Sequence, residues 1–178
     1  RVRLHRVIID GLKKTDPNRI RQRMKSLEGD WYDEAAMNKR IRSFLATGAL
    51  VAARVDTQEV SQDSVDATLH LEEGQARELS FAAGIDSYQG FIVRTSYADR
   101  NLFGELLGFS TGFEFSSRGV LGETKLTDPW LFGSDAAGTA RIFALIYGRD
   151  GYTSLETGIE GKVTWKFDDH YGLEFLAA

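Results

Sequence analysis

Three histidines and a scattering of strand carboxylates are the residues whose types could support catalysis or metal binding. His5, His70 and His170 fall in unrelated strand or turn contexts. Asp168-Asp169-His170 has the donor types a metal would need, but a polar turn between two strands accounts for the same triplet. Glu114, Glu156, Glu160, Lys162 and Lys166 read as charges along the polar faces of extended strands. Gly104 and Gly108 are turn and strand glycines, with no phosphate-binding loop around them. The chain has no cysteine, which excludes thiol nucleophiles, cysteine-ligated metals and disulfides. No catalytic constellation emerges, so the expectation is a protein that is not an enzyme and works without cofactor or metal.

Charge narrows the partners. Lys and Arg number 22 against 26 Asp and Glu, a net charge of −4, whereas phosphate-backbone binding needs a concentrated basic face. The run Lys13, Lys14, Arg19, Arg21, Arg23, Lys25 is interleaved with acids and reads as a solvated helix face. Nucleic acid is therefore not an expected partner. No segment approaches the roughly 18–20 apolar residues of a membrane helix, which leaves membrane insertion by strands open. The 178 residues suit one large or two small domains. Eighteen Gly against two Pro, with most of the Gly after position 83, predict a β-rich second half.

Two halves differ in period. In the first, Val2, Leu4, Val7, Ile8 and Ile9 form a strand closed by Asp10-Gly11. Thr15-Asp16-Pro17 opens a helix, with Thr15 or Asp16 as cap and Pro17 in the first turn. Ile20, Met24 and Leu27 give that helix one apolar stripe. A second helix starts near Asp33, repeats Ala36, Met37, Ile41, Phe44 and Leu45 at helical spacing, and stops at Gly48. Strands follow at Leu50–Val55 and Val65–Leu71, closed by Glu72-Glu73-Gly74. The order is β-α-α-β-β.

That order resembles the POTRA domain, a periplasmic module found in front of outer-membrane assembly barrels. The resemblance rests on the opening strand with Asp10-Gly11, on Ile41-Arg42-Ser43-Phe44-Leu45-Ala46-Thr47-Gly48-Ala49-Leu50, and on Leu69-His70-Leu71-Glu72-Glu73-Gly74. Leu50 stands where the family commonly has an aromatic, a mild departure. The likeness covers residues 1–75.

From Arg77 onward the period is two. Leu79, Phe81, Ala83 and Ile85 alternate with Ser80, Ala82 and Gly84; Phe91, Val93 and Tyr97 with Arg94, Ser96 and Ala98; Leu107, Phe109, Phe113 and Phe115 with Gly108, Ser110, Gly112, Glu114 and Ser116. Strands near 120–127 and 139–147 come next; the second is apolar on both faces, so its facing is open. A sixth places Leu155, Ile159, Val163, Trp165 and Phe167 opposite Ser154, Glu156, Glu160, Lys162 and Lys166, and a seventh begins at Tyr171. Short links such as Asp86-Ser87-Tyr88-Gln89-Gly90 and Ser117-Arg118-Gly119 imply antiparallel hairpins.

A soluble barrel and a membrane barrel both produce this alternation. Three features favour the membrane. Aromatics gather at strand ends (Tyr97, Phe103, Trp130, Phe132, Tyr147, Trp165), as an interfacial girdle requires. The opposite faces hold many Gly and Ser, which suit a lumen. The strands are also long for a soluble sandwich.

Tyr97-Ala98-Asp99-Arg100-Asn101-Leu102-Phe103-Gly104, followed by Leu121-Gly122-Glu123-Thr124-Lys125-Leu126-Thr127-Asp128-Pro129-Trp130-Leu131-Phe132-Gly133, resembles the start of the barrel in the BamA/TamA-type outer-membrane assembly family. An Asn-Leu-x-Gly turn and a strand ending in Pro followed by aromatics are the shared features. The likeness covers 76–178 and implies an α+β chain: a POTRA domain at 1–75, then the N-terminal part of an up-and-down transmembrane barrel at 76–178. Seven strands are expected where the family needs about sixteen, so the sequence reads as a fragment, because an open barrel leaves edges that lipid cannot satisfy.

The resemblance implies an outer-membrane assembly factor with its POTRA domain in the periplasm. Its partners would be unfolded β-barrel clients, outer-membrane lipid and accessory assembly proteins. The seam strand would be Glu78, Leu79, Ser80, Phe81, Ala82, Ala83, Gly84 and Ile85, and the POTRA edge Leu50, Val51, Ala52, Ala53, Arg54 and Val55, each offering unpaired backbone groups to another strand. A two-partner secretion-type pore, and from another class a soluble ligand-binding β-barrel, are the alternatives.

Overall fold

A computed structural model describes residues 2–149, 151–166 and 172–178. The chain divides into two compact units: residues 1–76 together with 100–106, and residues 77–99 together with 107–178.

The first unit opens with strand β1 (Arg3–Asp10). Helices α1 (Pro17–Met24) and α2 (Glu34–Leu45) follow, then strands β2 (Leu50–Ser61) and β3 (Ser64–Glu73). Local chemistry sets both helix starts. The Asp16 side chain accepts the Asn18 amide at 2.9 Å with Pro17 in the first turn, and Asp33 accepts the Ala35 amide at 2.8 Å. Gly48, at φ +71°, ends the second helix region. The α1 stripe is shorter than its spacing suggests: Ile20 and Met24 are buried, but the chain tightens into a 3₁₀ turn over Lys25–Leu27 and leaves Leu27 half-exposed.

β3 lies in the middle of this sheet, parallel to β1 and antiparallel to β2. Alternation assigns its faces. Val65, Ala67, Leu69 and Leu71 are buried against Leu4, Val7, Ile20, Met24, Met37, Ile41 and Phe44. Each such large side chain removed from water stabilises the fold by about 1.5–3 kcal/mol. Asp66, Thr68, His70 and Glu72 take the opposite face. β2 runs six residues beyond the expected Val55, because its pairing with β3 continues to Ser61↔Ser64.

The second unit is a seven-stranded sheet in strict sequence order. Its strands are β4 (Arg77–Asp86), β5 (Gly90–Leu102), β6 (Leu107–Ser116), β7 (Gly119–Asp128), β8 (Ala136–Arg149), β9 (Tyr152–Lys166) and β10 (Gly172–Ala177). The pairs β4–β5, β6–β7, β7–β8, β8–β9 and β9–β10 are antiparallel. The sheet does not close on itself among the described residues. No helix among them is long and apolar enough to cross a membrane, which says nothing against crossing by strands.

Register decides the facing of β8, which the sequence leaves open. Ile142, Ala144 and Ile146 pair with Ile159, Thr157 and Leu155 on the apolar face. Phe143, Leu145 and Tyr147 pair with Gly158, Glu156 and Ser154 on the polar one. Tyr147 is thus not part of an outward aromatic belt. Trp130 also departs from that expectation: it is only 3% exposed, its amide held by Asp128 at 2.9 Å, while Phe132 beside it is 95% exposed.

Candidate functional site

Strand edges are the chemistry this fold offers. In the first unit the two edges of the sheet are unequal. The outer edge of β1 is covered: Leu4 N–H donates to Asp30 O at 2.9 Å, Gly29 N–H to Leu4 O at 2.7 Å, Tyr32 N–H to Val2 O at 2.9 Å, and Val7 N–H to the Glu28 carboxylate at 2.8 Å. The outer edge of β2 has no strand against it among the described residues. Along it Leu50 is buried in the core, Ala53 and Val55 are half-buried on the core face, and Val51, Ala52 and Arg54 are exposed. An unpaired row of backbone donors and acceptors is a template for an extended segment.

The open face beside that edge is polar and cross-linked. His70 Nδ1 lies 3.1 Å from Asp10 Oδ2, its Nε2 3.5 Å from Asp56 Oδ2, and Arg54 Nε donates to Asp56 at 2.9 Å. His5 and Arg6 meet Asp66 at 2.8 and 2.7 Å. Burial would push the Asp66 carboxyl up, but these hydrogen bonds and charges outweigh it and hold the group below its ordinary value. Both histidines are therefore held against carboxylates of the sheet. His170, with Asp168, Asp169, Phe167 and Tyr171, lies outside the described residues.

In the second unit β4 stands at one end of the sheet, paired with β5 from Arg77↔Asp99 to Asp86↔Gly90. Its other edge faces no strand among the described residues, and every β4 residue is exposed. Leu79, Phe81, Ala83 and Ile85 share the apolar face, with Ile85 88% exposed, while Glu78, Ser80, Ala82 and Gly84 share the polar face with Ser96 and Arg94.

The polar face of this sheet carries cross-strand ion pairs. Arg94 pairs with Glu114. Arg141 bridges Glu123 at 2.8 Å and Glu160 at 3.1 Å, and Lys162 meets Glu174 at 2.8 Å. The Arg141 guanidinium also lies 4.7 Å from the centre of the Phe143 ring. Phe143 in turn packs over Gly158, where a Cβ would come within 2.7 Å of the ring. One face is thus apolar and exposed while the other is charged and internally paired. A membrane barrel presents these two surfaces to lipid and lumen respectively.

The turn at 100–106 escapes a reading by periodicity. It connects β5 to β6 but belongs to the first unit. Asn101 Nδ2 donates to Thr15 Oγ1 at 2.9 Å, and Asp16 N–H donates to Gly104 O at 2.9 Å. Thr15, considered as a helix cap, is 4% exposed and accepts this bond, leaving the capping to Asp16. One signal was available: Leu-Phe-Gly occurs at 102–104 and again at 131–133. In both copies Phe and Gly take positive φ, +58° and +80°, then +53° and +75°.

Comparison with known proteins agrees with this geometry. Residues 2–74 match the POTRA family, described as surface antigen variable number repeat. Across 159 residues the chain is 26% identical to the outer membrane protein assembly factor BamA of Nitratidesulfovibrio vulgaris, covering 88% of this chain and 19% of that protein. Across 152 residues it is 25% identical to the chloroplastic outer envelope protein 80 of Oryza sativa subsp. japonica, covering 82% and 23% respectively. The chain therefore spans about a fifth of the length of these curated relatives. Among solved structures, BamA from Haemophilus ducreyi lacking POTRA domains 1–3 superposes with a TM-score of 0.78 at 17% identity, over 97% of this chain and 34% of that one. CdiB from Acinetobacter baumannii superposes with a TM-score of 0.60 at 12% identity, over 92% and 33%.

Proposed function

We propose that this chain, which belongs to the BamA/TamA-type outer-membrane assembly family and joins a POTRA domain to transmembrane barrel strands, assists the insertion of β-barrel clients into the outer membrane. The family places the sheet in an outer membrane and the POTRA domain in the periplasm.

One observation carries the reading. Among the described residues β4 is paired on one side only, within a sheet whose exposed apolar face suits lipid. Hydrocarbon offers no hydrogen bonds, so each unpaired backbone group there costs several kcal/mol. That edge needs another strand, and a client strand supplies the same bonds as a closing strand of the barrel. Insertion by this route needs no cofactor or nucleotide, because the client exchanges one set of backbone hydrogen bonds for another. In the periplasm the β2 edge, Leu50 to Val55, is the second place where an extended client segment would pair. Accessory assembly proteins would bind the POTRA domain.

The test is the folding of a urea-unfolded barrel client into liposomes holding the full-length protein, followed by heat-modifiable gel mobility. Acceleration over empty liposomes, abolished by Phe81→Pro in β4, is the expected result. Ion conductance without any acceleration would favour the secretion-pore reading, towards which the CdiB likeness points only at the level of fold.

A further inference from the structure

The β4–β5 hairpin leaves the first unit at Ala76 and re-enters it at Arg100, where the Arg100 N–H donates to Ala76 O at 2.9 Å. The residues that follow are held there by a chain of specific bonds. The Glu73 carboxylate accepts the Thr15 amide at 2.7 Å and the Lys14 amide at 2.9 Å, which fixes the loop ahead of α1. Thr15 Oγ1 accepts Asn101 Nδ2, and Asn101 Oδ1 accepts the Leu106 amide at 3.0 Å. Leu106 is 1% exposed although its φ is +55°. A left-handed leucine is unfavourable by itself, so the surrounding contacts must impose it. Gly104, at φ +80°, brings its backbone against Lys14, where a Cβ would lie 2.5 Å from the Lys14 carbonyl oxygen.

We propose that Asn101 is a positioning residue for β4. Acting through Thr15, it holds the foot of the β4–β5 hairpin, so that β4 keeps its register while its free edge changes strand partners. The proposal rests on the client-insertion reading above. A strand paired on one side and approached by a second strand on the other can slip, and a slip of one residue would turn Leu79, Phe81, Ala83 and Ile85 from the apolar face to the polar one. Fixing the foot blocks that slip without occupying the free edge.

The test uses the full-length protein in liposomes and two near-isosteric variants. Asn101→Asp keeps the acceptor for Leu106 and loses the donor to Thr15; Thr15→Val loses the acceptor for Asn101 together with the Thr15 side-chain bond to Glu73. Amide exchange over 78–85 is expected to rise roughly three- to tenfold in both, the range one hydrogen bond supports. The double variant should exchange no faster than Thr15→Val alone, and Thr15→Ser should match the parent. Exchange in β7 to β9 should not change. Unchanged exchange over 78–85 in both variants, or an equal rise in β4 and in β7 to β9, would overturn the proposal. A rise confined to β4 with undiminished client folding would uphold the positioning role and count against the insertion reading instead.

Discussion

Glu73 and Thr15 stand 58 residues apart in sequence, and the Glu73 carboxylate accepts the Thr15 amide at 2.7 Å. Burial would push this carboxyl up. Hydrogen bonds from the Thr15 side chain and the backbone amides of Lys14, Thr15 and Lys13 more than reverse it and leave the group below its ordinary 4.5. A carboxyl depressed in the fold stabilises it at pH values above the unfolded pKa, and the contribution disappears as pH falls through the folded one. Asp66 shifts in the same direction. The POTRA unit should therefore lose stability on acidification below about pH 4.5. Glu73→Gln should weaken that acid limb and cost about 1–2 kcal/mol at pH 7. Urea unfolding across a pH series, read by amide exchange over β1 to β3, checks both.

Gly104→Ala should destabilise the first unit by more than about 1 kcal/mol, since the position combines positive φ with close approach to backbone. Chemical denaturation of parent and variant measures it. A neutral result would mean that the turn is not seated on Lys14.

Phe132 has the same left-handed backbone as Phe103, and neither side chain is buried to offset it. Asn tolerates that conformation better, so Phe132→Asn should raise stability by about 0.5–1 kcal/mol. The midpoint of the heat-induced mobility shift is the measurement.

Removing Arg141 leaves Glu123 and Glu160 facing one another without their shared cation. Arg141→Met should destabilise the sheet by about 1 kcal/mol, a modest figure because the pairs are partly solvated. Adding Glu123→Gln should recover part of the loss, and a double-mutant cycle on the thermal midpoint separates the two terms.

Facing in the bilayer is tested by two neighbouring charges on β8. Ile142→Arg puts a cation on the apolar face and should cost about 2–4 kcal/mol if it lies near the membrane midplane. Leu145→Arg points to the other face, opposite Glu156, and should be close to neutral. Equal costs at the two positions would contradict the lipid and lumen assignment.

Much of the architecture can be read from local pattern. Period-3.6 stripes mark α1 and α2, Asp16-Pro17 and Asp33 mark their starts, and period-2 alternation marks both β4 and β6. These signals are legible because each depends on neighbours within a few residues. β8 shows the limit: with apolar residues at successive positions, its faces are defined only by pairing Ile142 with Ile159 and Arg141 with Glu160. Trp130 shows another, since an aromatic at a strand end is equally suited to an interfacial belt and to a buried turn.

The sequence by itself determined a β-α-α-β-β domain, a run of long amphipathic strands and the two candidate edges at Leu50–Val55 and Glu78–Ile85. Only the tertiary structure decided that the β1 edge is covered while β2 has no strand against it among the described residues, and that the turn at 100–106 is seated on the first unit. Both rest on contacts between residues far apart in sequence, such as Leu4 with Asp30 and Thr15 with Asn101. Local periodicity reports which face a side chain takes. It carries no record of which distant backbone atom will satisfy a given donor.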